Sequence, residues 1–260
     1  MSANLKRLTG KTALVTGSSR GIGRGIAMRF AHEGANIVIN YVGAVEAAEE
    51  ALAEVREAGA RGMLLQADVS SVADVTEMID AAVREFGTVD ILVNNAGVET
   101  HAPFWDVTEA EYDRVMNVNV KGAFFAAQAL TRHLRTAGRP GRIINISSVH
   151  EDMAFPNFAA YCASKGAMRM LARTLAVELG PIGITINNIA PGAIETPINT
   201  ALLNDPAKLG SLLKQIPLGR LGQPGDVAGL AAFLASEDAA YVTGSTFVVD
   251  GGLSVFYEEQ

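Results

Sequence analysis

The chain has 260 residues, 49% of them hydrophobic and 19% charged, so it can bury a large core. Its net charge of −7 argues against a nucleic-acid partner, because affinity for phosphate backbones rests on clustered Lys and Arg. The single cysteine, Cys162, excludes an internal disulfide, and no stretch reaches the roughly 18 apolar residues of a membrane span. We therefore expect a cytoplasmic protein that has no membrane partner.

The first elements enclose a glycine-rich turn. An apolar strand over residues 12–16 leads into Gly17, Gly21 and Gly23, and a helical pattern follows. The spacing, G-x-x-x-G-x-G, has one residue more than the turn G-x-G-x-x-G of many dinucleotide sites. Such a turn lets backbone N–H groups approach a pyrophosphate at a helix N-terminus. With a second strand over residues 36–40 it completes a βαβ unit, which predicts dinucleotide binding rather than a bare structural turn.

The end of the second strand bears on the choice between NAD and NADP. Asn40 and Tyr41 stand where an NAD-specific site usually presents an acid to the ribose hydroxyls. Arg20, inside the glycine turn, could instead pair with a 2′-phosphate, since a guanidinium suits bidentate phosphate contacts; the alternative is a solvated loop arginine. The sequence favours NADP and leaves NAD open.

Strand and helix patterns then alternate without a break. Helices are predicted over residues 45–58 and 72–86, a strand over residues 62–67, and a further strand from Asp90 into a turn ending at Gly97. This alternation specifies a parallel sheet covered on both faces. Asp68, at a strand end, could accept the adenine amino group or only cap the following helix. Asn94 and Asn95 are similarly placed, and one of them could satisfy buried backbone groups.

A long amphipathic helix is predicted over residues 108–136, and Asn119 lies in its middle. Asparagine is a poor residue there because its side chain competes for backbone hydrogen bonds. Two interpretations stay open: a local kink that holds a water, and close helix packing near Gly122.

The stretch from Ile143 to Lys165 predicts a site for proton transfer. A buried strand over residues 143–146 precedes Ser148, and Tyr161 and Lys165 begin a helix that continues through Leu179. A phenol and an ammonium four residues apart on a helix share one face, so their polar ends can approach each other. Ser148, just past the strand, could meet them.

The last part of the chain supplies two more strands and a long connection. Strands are predicted over residues 184–189 and 246–249, and helices over residues 207–214 and 226–235. Between them, residues 195–217 are otherwise irregular and punctuated by proline. A connection this long in a compact α/β domain is typical of an active-site lid.

Several motifs stand in one order along the chain: Thr16-Gly17-Ser-Ser-Arg-Gly21-Ile-Gly23, Asn94-Asn95-Ala96-Gly97, Asn119, Ser148, Tyr161-x-x-x-Lys165 and Pro191-Gly192. In these motifs the chain resembles the short-chain dehydrogenase/reductase family over nearly its whole length. The resemblance implies a single domain, an α/β Rossmann-type doubly wound parallel sheet of about seven strands, assembled as a homotetramer. It also implies an NAD(P)-dependent enzyme that transfers a hydride and needs no metal.

The resemblance further implies a role for each matching residue. Tyr161 would be the acid/base, Ser148 would orient the substrate oxygen, Lys165 would bind the cofactor ribose and Asn119 would anchor a proton-relay water. Lys165 and the oxidised nicotinamide would lower the phenol pKa from about 10. The residues implied to bind the cofactor are Gly17, Ser19, Arg20, Gly21, Ile22, Gly23, Asn40, Tyr41, Asp68, Val69, Asn95, Ala96, Gly97, Tyr161, Lys165, Pro191, Gly192, Ile194 and Thr196.

Within the family, the segments around Ser148 and Pro191 look most like bacterial glucose 1-dehydrogenases. By that likeness Glu99 and His150 would face a sugar together with Ser148 and Tyr161. Those enzymes often carry arginine where this chain has Val42, which removes one candidate ligand of the 2′-phosphate. The leading hypothesis is a dehydrogenase of glucose or a related polyol. The alternative enzyme is a 3-oxoacyl thioester reductase. A non-enzymatic dinucleotide sensor is a further alternative, but such a protein would be expected to lack one of the catalytic residues, and this chain has all of them.

Overall fold

The computed structural model describes residues 6–256, and its seven strands form one parallel sheet. The strands are β1 (Thr12–Val15), β2 (Asn36–Tyr41), β3 (Gly62–Gln66), β4 (Ile91–Asn94), β5 (Gly141–Ile146), β6 (Ile184–Pro191) and β7 (Thr246–Val249). Their order is β3-β2-β1-β4-β5-β6-β7, and every pairing between them is parallel. This confirms the predicted doubly wound α/β fold with seven strands.

Helices cover both faces of the sheet. They are α1 (Gly21–His32), α2 (Val45–Glu57), α3 (Val72–Phe86), α4 (Glu109–Met116), α5 (Ala123–Ala137), α6 (Ala159–Leu179), α7 (Thr200–Leu203), α8 (Pro206–Gln215) and α9 (Pro224–Ala235). One apolar layer lies between the sheet and α1, α2 and α9, and the other lies between the sheet and α3, α5 and α6. Val15 belongs to the first layer and Leu14 to the second, so β1 is apolar at consecutive positions.

The strand order reverses around β1, which lies between β2 and β4. After β3 the chain crosses back over β1 to add β4, and the remaining strands follow on that side. The connections that leave the carboxyl ends of β1 and β4 therefore diverge to opposite faces. A crevice at such a switch point is where open α/β sheets bind their ligands.

The helix predicted over residues 108–136 is interrupted by a π-helical segment, Asn117–Gly122, between α4 and α5. Asn119 lies inside this segment, where π-helical turns often mark functional sites. A Cβ at Gly122 would stand 2.9 Å from the carbonyl oxygen of Val69. The helix is therefore distorted at Asn119 and closely packed at Gly122. The two interpretations of this segment, a local kink and close helix packing, are compatible with each other.

The segment predicted as a mostly irregular lid, residues 195–217, contains more helix than expected, because both α7 and α8 lie in it. Helix α8 begins where Asp205 caps it: the carboxylate accepts a hydrogen bond from Lys208 N–H (3.1 Å), and Pro206 occupies the first helical position. Among residues 6–256 no helix is long and apolar enough to cross a membrane.

Candidate active site

The glycine turn between β1 and α1 lies against the segment that follows β4. Gly17 and Gly21 have φ values of +60° and +58°, which favour glycine. A Cβ at Gly23 would stand 2.5 Å from Asn95 Nδ2, and one at Gly17 would stand 3.1 Å from Ala96 Cα. Glycine at these three positions allows the close packing of the turn and leaves the N–H groups at the N-terminus of α1 open, so this cradle fits a pyrophosphate.

Hydrogen bonds join this turn to the segment after β4. Asn95 Nδ2 donates to the carbonyl oxygens of Thr16 (2.8 Å) and Gly17 (3.1 Å). Thr16 Oγ1 accepts from the N–H groups of Asn95 (2.9 Å) and Ala96 (3.0 Å). Asn95 thus supports the cradle, and Gly97 beside it is exposed. The role of Thr16 was not predicted from the sequence, because its partner Asn95 lies 79 residues away along the chain.

Asn40 supports the glycine turn from within the protein. Its side chain is buried; Oδ1 accepts from Gly17 N–H (3.0 Å) and Nδ2 donates to the carbonyl oxygen of Ala67 (3.0 Å). Tyr41, next to it, is partly exposed at the carboxyl end of β2. Arg20 directly precedes α1 and is exposed. Of the residues proposed to read the ribose end of a dinucleotide, Arg20 is exposed, Tyr41 is partly buried against the core and Asn40 is buried.

Asp68 is exposed at the carboxyl end of β3, and Val69 beside it is buried. The Asp68 carboxylate accepts a hydrogen bond from Ser70 N–H (2.9 Å). It does not cap α3, because Ser71 does so by accepting from Asp74 N–H (3.3 Å). The alternative interpretation of Asp68 as a helix cap is therefore wrong.

Ser148, Tyr161 and Lys165 meet at the carboxyl end of β5. Ser148 Oγ accepts from His150 N–H (3.2 Å), which closes the turn after the strand. Tyr161 and Lys165 lie one turn apart near the start of α6. Lys165 Nζ donates to the carbonyl oxygen of Ile146 (2.9 Å) and lies 5.5 Å from the centre of the Tyr161 ring. The shared helix face thus brings Tyr161 and Lys165 together, and the turn after β5 places Ser148 within hydrogen-bonding reach of Tyr161.

Asn119 connects this cluster to the segment after β4. Its Oδ1 accepts from Val98 N–H and its Nδ2 donates to the Val98 carbonyl oxygen, both at 2.9 Å. Nδ2 also donates to Ser164 Oγ (2.9 Å), and Ser164 donates to the carbonyl oxygen of Tyr161 (2.7 Å). Asn119 therefore holds the first turn of α6 in place, through a serine that sequence reasoning missed.

Burial dominates the acid–base properties of the cluster. It raises the pKa of Tyr161 to about 12; hydrogen bonding with Ser148 lowers this pKa, whereas the charge of Glu99 raises it. Burial also lowers the pKa of Lys165 to about 8, although the charges of Glu151 and Glu99 oppose this. The chain's own groups therefore do not produce the lowered phenol pKa expected from the sequence, because burial outweighs them.

Aromatic rings extend from Tyr161 along one side of the site. His150 lies edge-on to Tyr161 (6.4 Å between ring centres) and stacks on Phe155 (4.3 Å). Phe155 stacks on Phe158 (4.1 Å), and Phe158 meets His101 edge-on (5.0 Å). We call these residues, His150, Phe155, Phe158 and His101, the aromatic column. The sequence predicted that the stretch from His150 to Phe158 forms a wall of the substrate pocket, but it gave an individual role only to His150; the partners of the two phenylalanines are set by the loop fold.

Two polar groups near the aromatic column are partly shielded from water. Glu99 is partly buried, which raises its carboxyl pKa. Burial lowers the pKa of His150, whose Nδ1 lies 3.2 Å from the carbonyl oxygen of Met153 and therefore donates to it.

The segment after β6 approaches the glycine turn from above. Pro191 ends the strand, and a Cβ at Gly192 would stand 2.7 Å from Asp250 Cβ, which explains a glycine at this position. Ile194 is buried, whereas Thr196 is partly exposed and its methyl group lies 3.5 Å from where a Cβ on Gly21 would be. Thr196 thus stands over the cradle. Among residues 6–256 no cluster of His, Cys, Asp or Glu could hold a metal ion.

Comparisons with known proteins identify the class. A family model described as "Enoyl-(Acyl carrier protein) reductase" matches residues 17–254. The chain is 46% identical over 249 residues to "3beta-hydroxysteroid dehydrogenase 1" of Eggerthella lenta, covering 96% of this chain and 95% of that protein. It is 40% identical over 252 residues to "Glucose 1-dehydrogenase 2" of Bacillus subtilis (strain 168), covering 96% and 97%.

A crystal structure agrees with these sequence matches. The gluconate 5-dehydrogenase from Burkholderia cenocepacia J2315 in complex with NADP and tartrate has a TM-score of 0.92 and 41% identity to this chain. The match covers 98% of this chain and 99% of that one. The chain belongs to the short-chain dehydrogenase/reductase family and is an oxidoreductase, which confirms the resemblance predicted from its motifs.

Proposed function

We propose that the protein is an NADP-dependent dehydrogenase that interconverts a hydroxyl and a carbonyl group on a ring-shaped small molecule, with glucose or a related polyol as the first candidate. The observation that carries this proposal is the meeting of Ser148, Tyr161 and Lys165 beside the glycine cradle. The bound nicotinamide would supply the hydride acceptor or donor, while the chain supplies position and charge.

The cradle and its surroundings would hold the dinucleotide. The open N–H groups at the start of α1 suit its pyrophosphate, and the exposed Arg20 suits a 2′-phosphate better than it suits free hydroxyls. Asp68 would accept the adenine amino group, and Thr196 with the Ile194 backbone would hold the carboxamide. The NADP in the similar gluconate 5-dehydrogenase supports this preference, with NAD as the alternative.

In the proposed reaction Tyr161 removes the proton of the substrate hydroxyl during oxidation and returns it during reduction. Ser148 donates a hydrogen bond to the substrate oxygen and holds it next to the phenol. Lys165 binds the ribose and stabilises negative charge on Tyr161. Asn119 would anchor a water that passes the proton onward.

The aromatic column and the polar groups beside it support a substrate with one apolar and one polar face. A sugar ring presents C–H groups on its faces and hydroxyls at its rim, so it could pack against the exposed edge of the aromatic column at Phe155 while Glu99 and His150 bind hydroxyls. The glucose 1-dehydrogenase and gluconate 5-dehydrogenase relatives support this class.

A second candidate substrate is a hydroxylated fused ring. The stacked rings of the column form an apolar wall beside Tyr161, and one relative carries the name of a hydroxysteroid dehydrogenase. The proposed proton chemistry would be the same, so only substrate tests separate the two classes.

A steady-state panel tests the proposed function. Glucose, other polyols and a hydroxysteroid would be offered with NADP and with NAD, and an acetoacetyl thioester with NADPH. We expect oxidation of a polyol with NADP. Turnover of only the thioester would favour the reductase alternative, and cofactor binding without any turnover would favour a dinucleotide sensor.

The role proposed for Tyr161 has its own test. Tyr161→Phe should lower turnover by about 10²–10⁴-fold because the acid/base group is removed, whereas the affinity for NADPH, measured by fluorescence, should stay nearly unchanged. Near-normal turnover in this variant would contradict the assignment.

A further inference from the structure

Glu151 is a buried carboxylate for which the proposed reaction has no use. It lies three residues after Ser148, in a short turn that packs against α6, and its side chain is 1% exposed. Neither carboxylate oxygen has a hydrogen-bond partner among the described residues. The nearest cation is Arg169, whose Nε lies 3.6 Å away, but this guanidinium forms its hydrogen bond with the exposed Asp152.

A buried charge is costly unless an opposite charge compensates it. Lys165 is a buried positive charge that also lacks a partner: its side chain is buried, and it forms no ion pair within 4.0 Å among residues 6–256. Its ammonium has three N–H donors, but only the carbonyl oxygen of Ile146 is a strong acceptor for them; the other contact is Met168 Sδ at 3.8 Å.

The backbone places these two charges on the same side of α6. Lys165 and Arg169 are four residues apart and therefore share a helix face, and Arg169 already touches Glu151. The turn of Glu151 also approaches the position between them, since a Cβ on Gly166 would lie 3.9 Å from the Glu151 carbonyl oxygen.

We propose that Glu151 is a positioning residue whose buried carboxylate is the counter-charge that keeps Lys165 protonated next to Tyr161. The charge coupling itself is inferred from the burial of both groups, from the unpartnered carboxylate oxygens and from the helix face that Lys165 shares with Arg169. Only its catalytic consequence, a Lys165 cation that supports the Tyr161 phenolate, rests on the proposed function.

The electrostatic balance around Lys165 agrees with this proposal. Burial lowers the pKa of Lys165, and of the two carboxylates that oppose this, Glu151 has the larger effect and Glu99 the smaller. The positive charge of Arg169 partly offsets the negative charge of Glu151, but the hydrogen bond from Arg169 to Asp152 holds the guanidinium toward the surface. The other titratable groups on the elements around Lys165 include His101, His150, Tyr161 and Cys162, together with the exposed Lys121, Arg173 and Glu178.

Direct titration of Lys165 tests the proposal without any substrate. The chain has six lysines, so the ¹³Cε signals of a lysine-labelled protein are few, and Lys165→Arg identifies the one that belongs to Lys165. We expect Glu151→Gln, which keeps the size and removes the charge, to lower the Lys165 pKa by about one unit. Glu151→Asp, which keeps the charge, should restore at least part of that shift.

Glu178→Gln is the matched control, because Glu178 is an exposed carboxylate on the same helix as Lys165. It should leave the Lys165 pKa nearly unchanged. An unchanged titration in Glu151→Gln, or an equal shift in Glu178→Gln, would overturn the proposal. A shifted titration in a chain that turns over no tested substrate would support this coupling and reject the proposed function instead.

Discussion

Burial shifts the pKa values of Tyr161 and Lys165 in opposite directions. Burial raises the pKa of the phenol to about 12 and lowers that of the ammonium to about 8, so it favours the neutral form of both groups. A proton-transfer site needs a phenolate next to an ammonium. Whether this charged pair forms therefore depends on the smaller effects that hydrogen bonds and charges of neighbouring residues have on the two pKa values. Ser148 and Glu151 favour the charged forms, whereas Glu99 opposes the phenolate and supports the ammonium.

Glu99 offers a prediction with a defined sign. Its negative charge raises the pKa of Tyr161, so Glu99→Gln should lower that pKa, and the rise of kcat/KM for oxidation should move to lower pH by about half a unit to one unit. The same change removes support from Lys165, so the fall at high pH should also move downward. The pH profile with the best substrate of the panel measures both limbs.

The exposed Glu109→Gln on α4 is the control for this profile, which it should leave unchanged. If Glu99→Gln altered KM alone and moved neither limb, Glu99 would contact the substrate without tuning the proton site.

Arg20 carries the prediction on cofactor choice. If its guanidinium pairs with the 2′-phosphate, Arg20→Ala should raise KM for NADP by about tenfold or more and change KM for NAD little. Arg24→Ala is a useful control, because Arg24 lies four residues further along, in the first turn of α1, but pairs with Glu54 (2.8 Å). Equal effects of Arg20→Ala on both cofactors would show that Arg20 does not read the phosphate.

The candidate site was predictable where its chemistry follows a local pattern. Tyr161 and Lys165 share a helix face at a fixed spacing, and the glycine turn follows a strand and opens a helix. The supporting contacts of Thr16 and Asn40 could not be found that way, because their partners lie 79 and 23 residues away and only the strand order brings them together. Glu151 gave no local signal, since burial decides its importance.

At the scale of elements, the segment between α4 and α5 shows what a hydrophobic pattern cannot resolve. A period of 3.6 predicts helix, but a π-helical turn of a few residues hardly changes that period. Asn119 as an unfavourable mid-helix residue marked the place of the irregularity. Its form depends on Val98 and Ser164, which Asn119 reaches only in the folded chain.

Gly122 provides a stability prediction for this segment. A Cβ there would stand 2.9 Å from the Val69 carbonyl oxygen, which is backbone and cannot move away easily. We expect Gly122→Ala to destabilise the protein by about 1–3 kcal/mol, measured by denaturant unfolding at fixed protein concentration.

Gly229→Ala in α9 is the matched control, since its nearest neighbour would be Arg29 Nη1 at 4.0 Å. Alanine is the better helix residue, so this variant should be neutral or more stable by up to about 1 kcal/mol. If Gly122→Ala behaved like the control, the close approach to Val69 would not constrain this helix.

For the whole molecule, alternation of strands and helices was enough to predict a parallel sheet with two covered faces. The order of the strands in the sheet does not follow from alternation, because the same strands and helices could form a parallel sheet with a different strand order. The switch point between β1 and β4 depends on the pairings Ala13 with Ile91 and Leu14 with Leu92. This pairing brings Asn95 against the glycine turn and thereby forms the cradle.

The outer surfaces of α5 and α6 support the last prediction, the homotetramer. Phe124 on α5 and Met170 and Val177 on α6 are 40%, 60% and 78% exposed, which is unusual for large apolar side chains on two neighbouring helices. We expect a mass in solution near four times the 27.3 kDa of the chain, measured by analytical ultracentrifugation. Val177→Glu should give smaller species, because a charge would be buried in the interface, whereas Val45→Glu on α2 should not. A monomer for the unmodified chain would contradict the assembly and would require these apolar residues to face water.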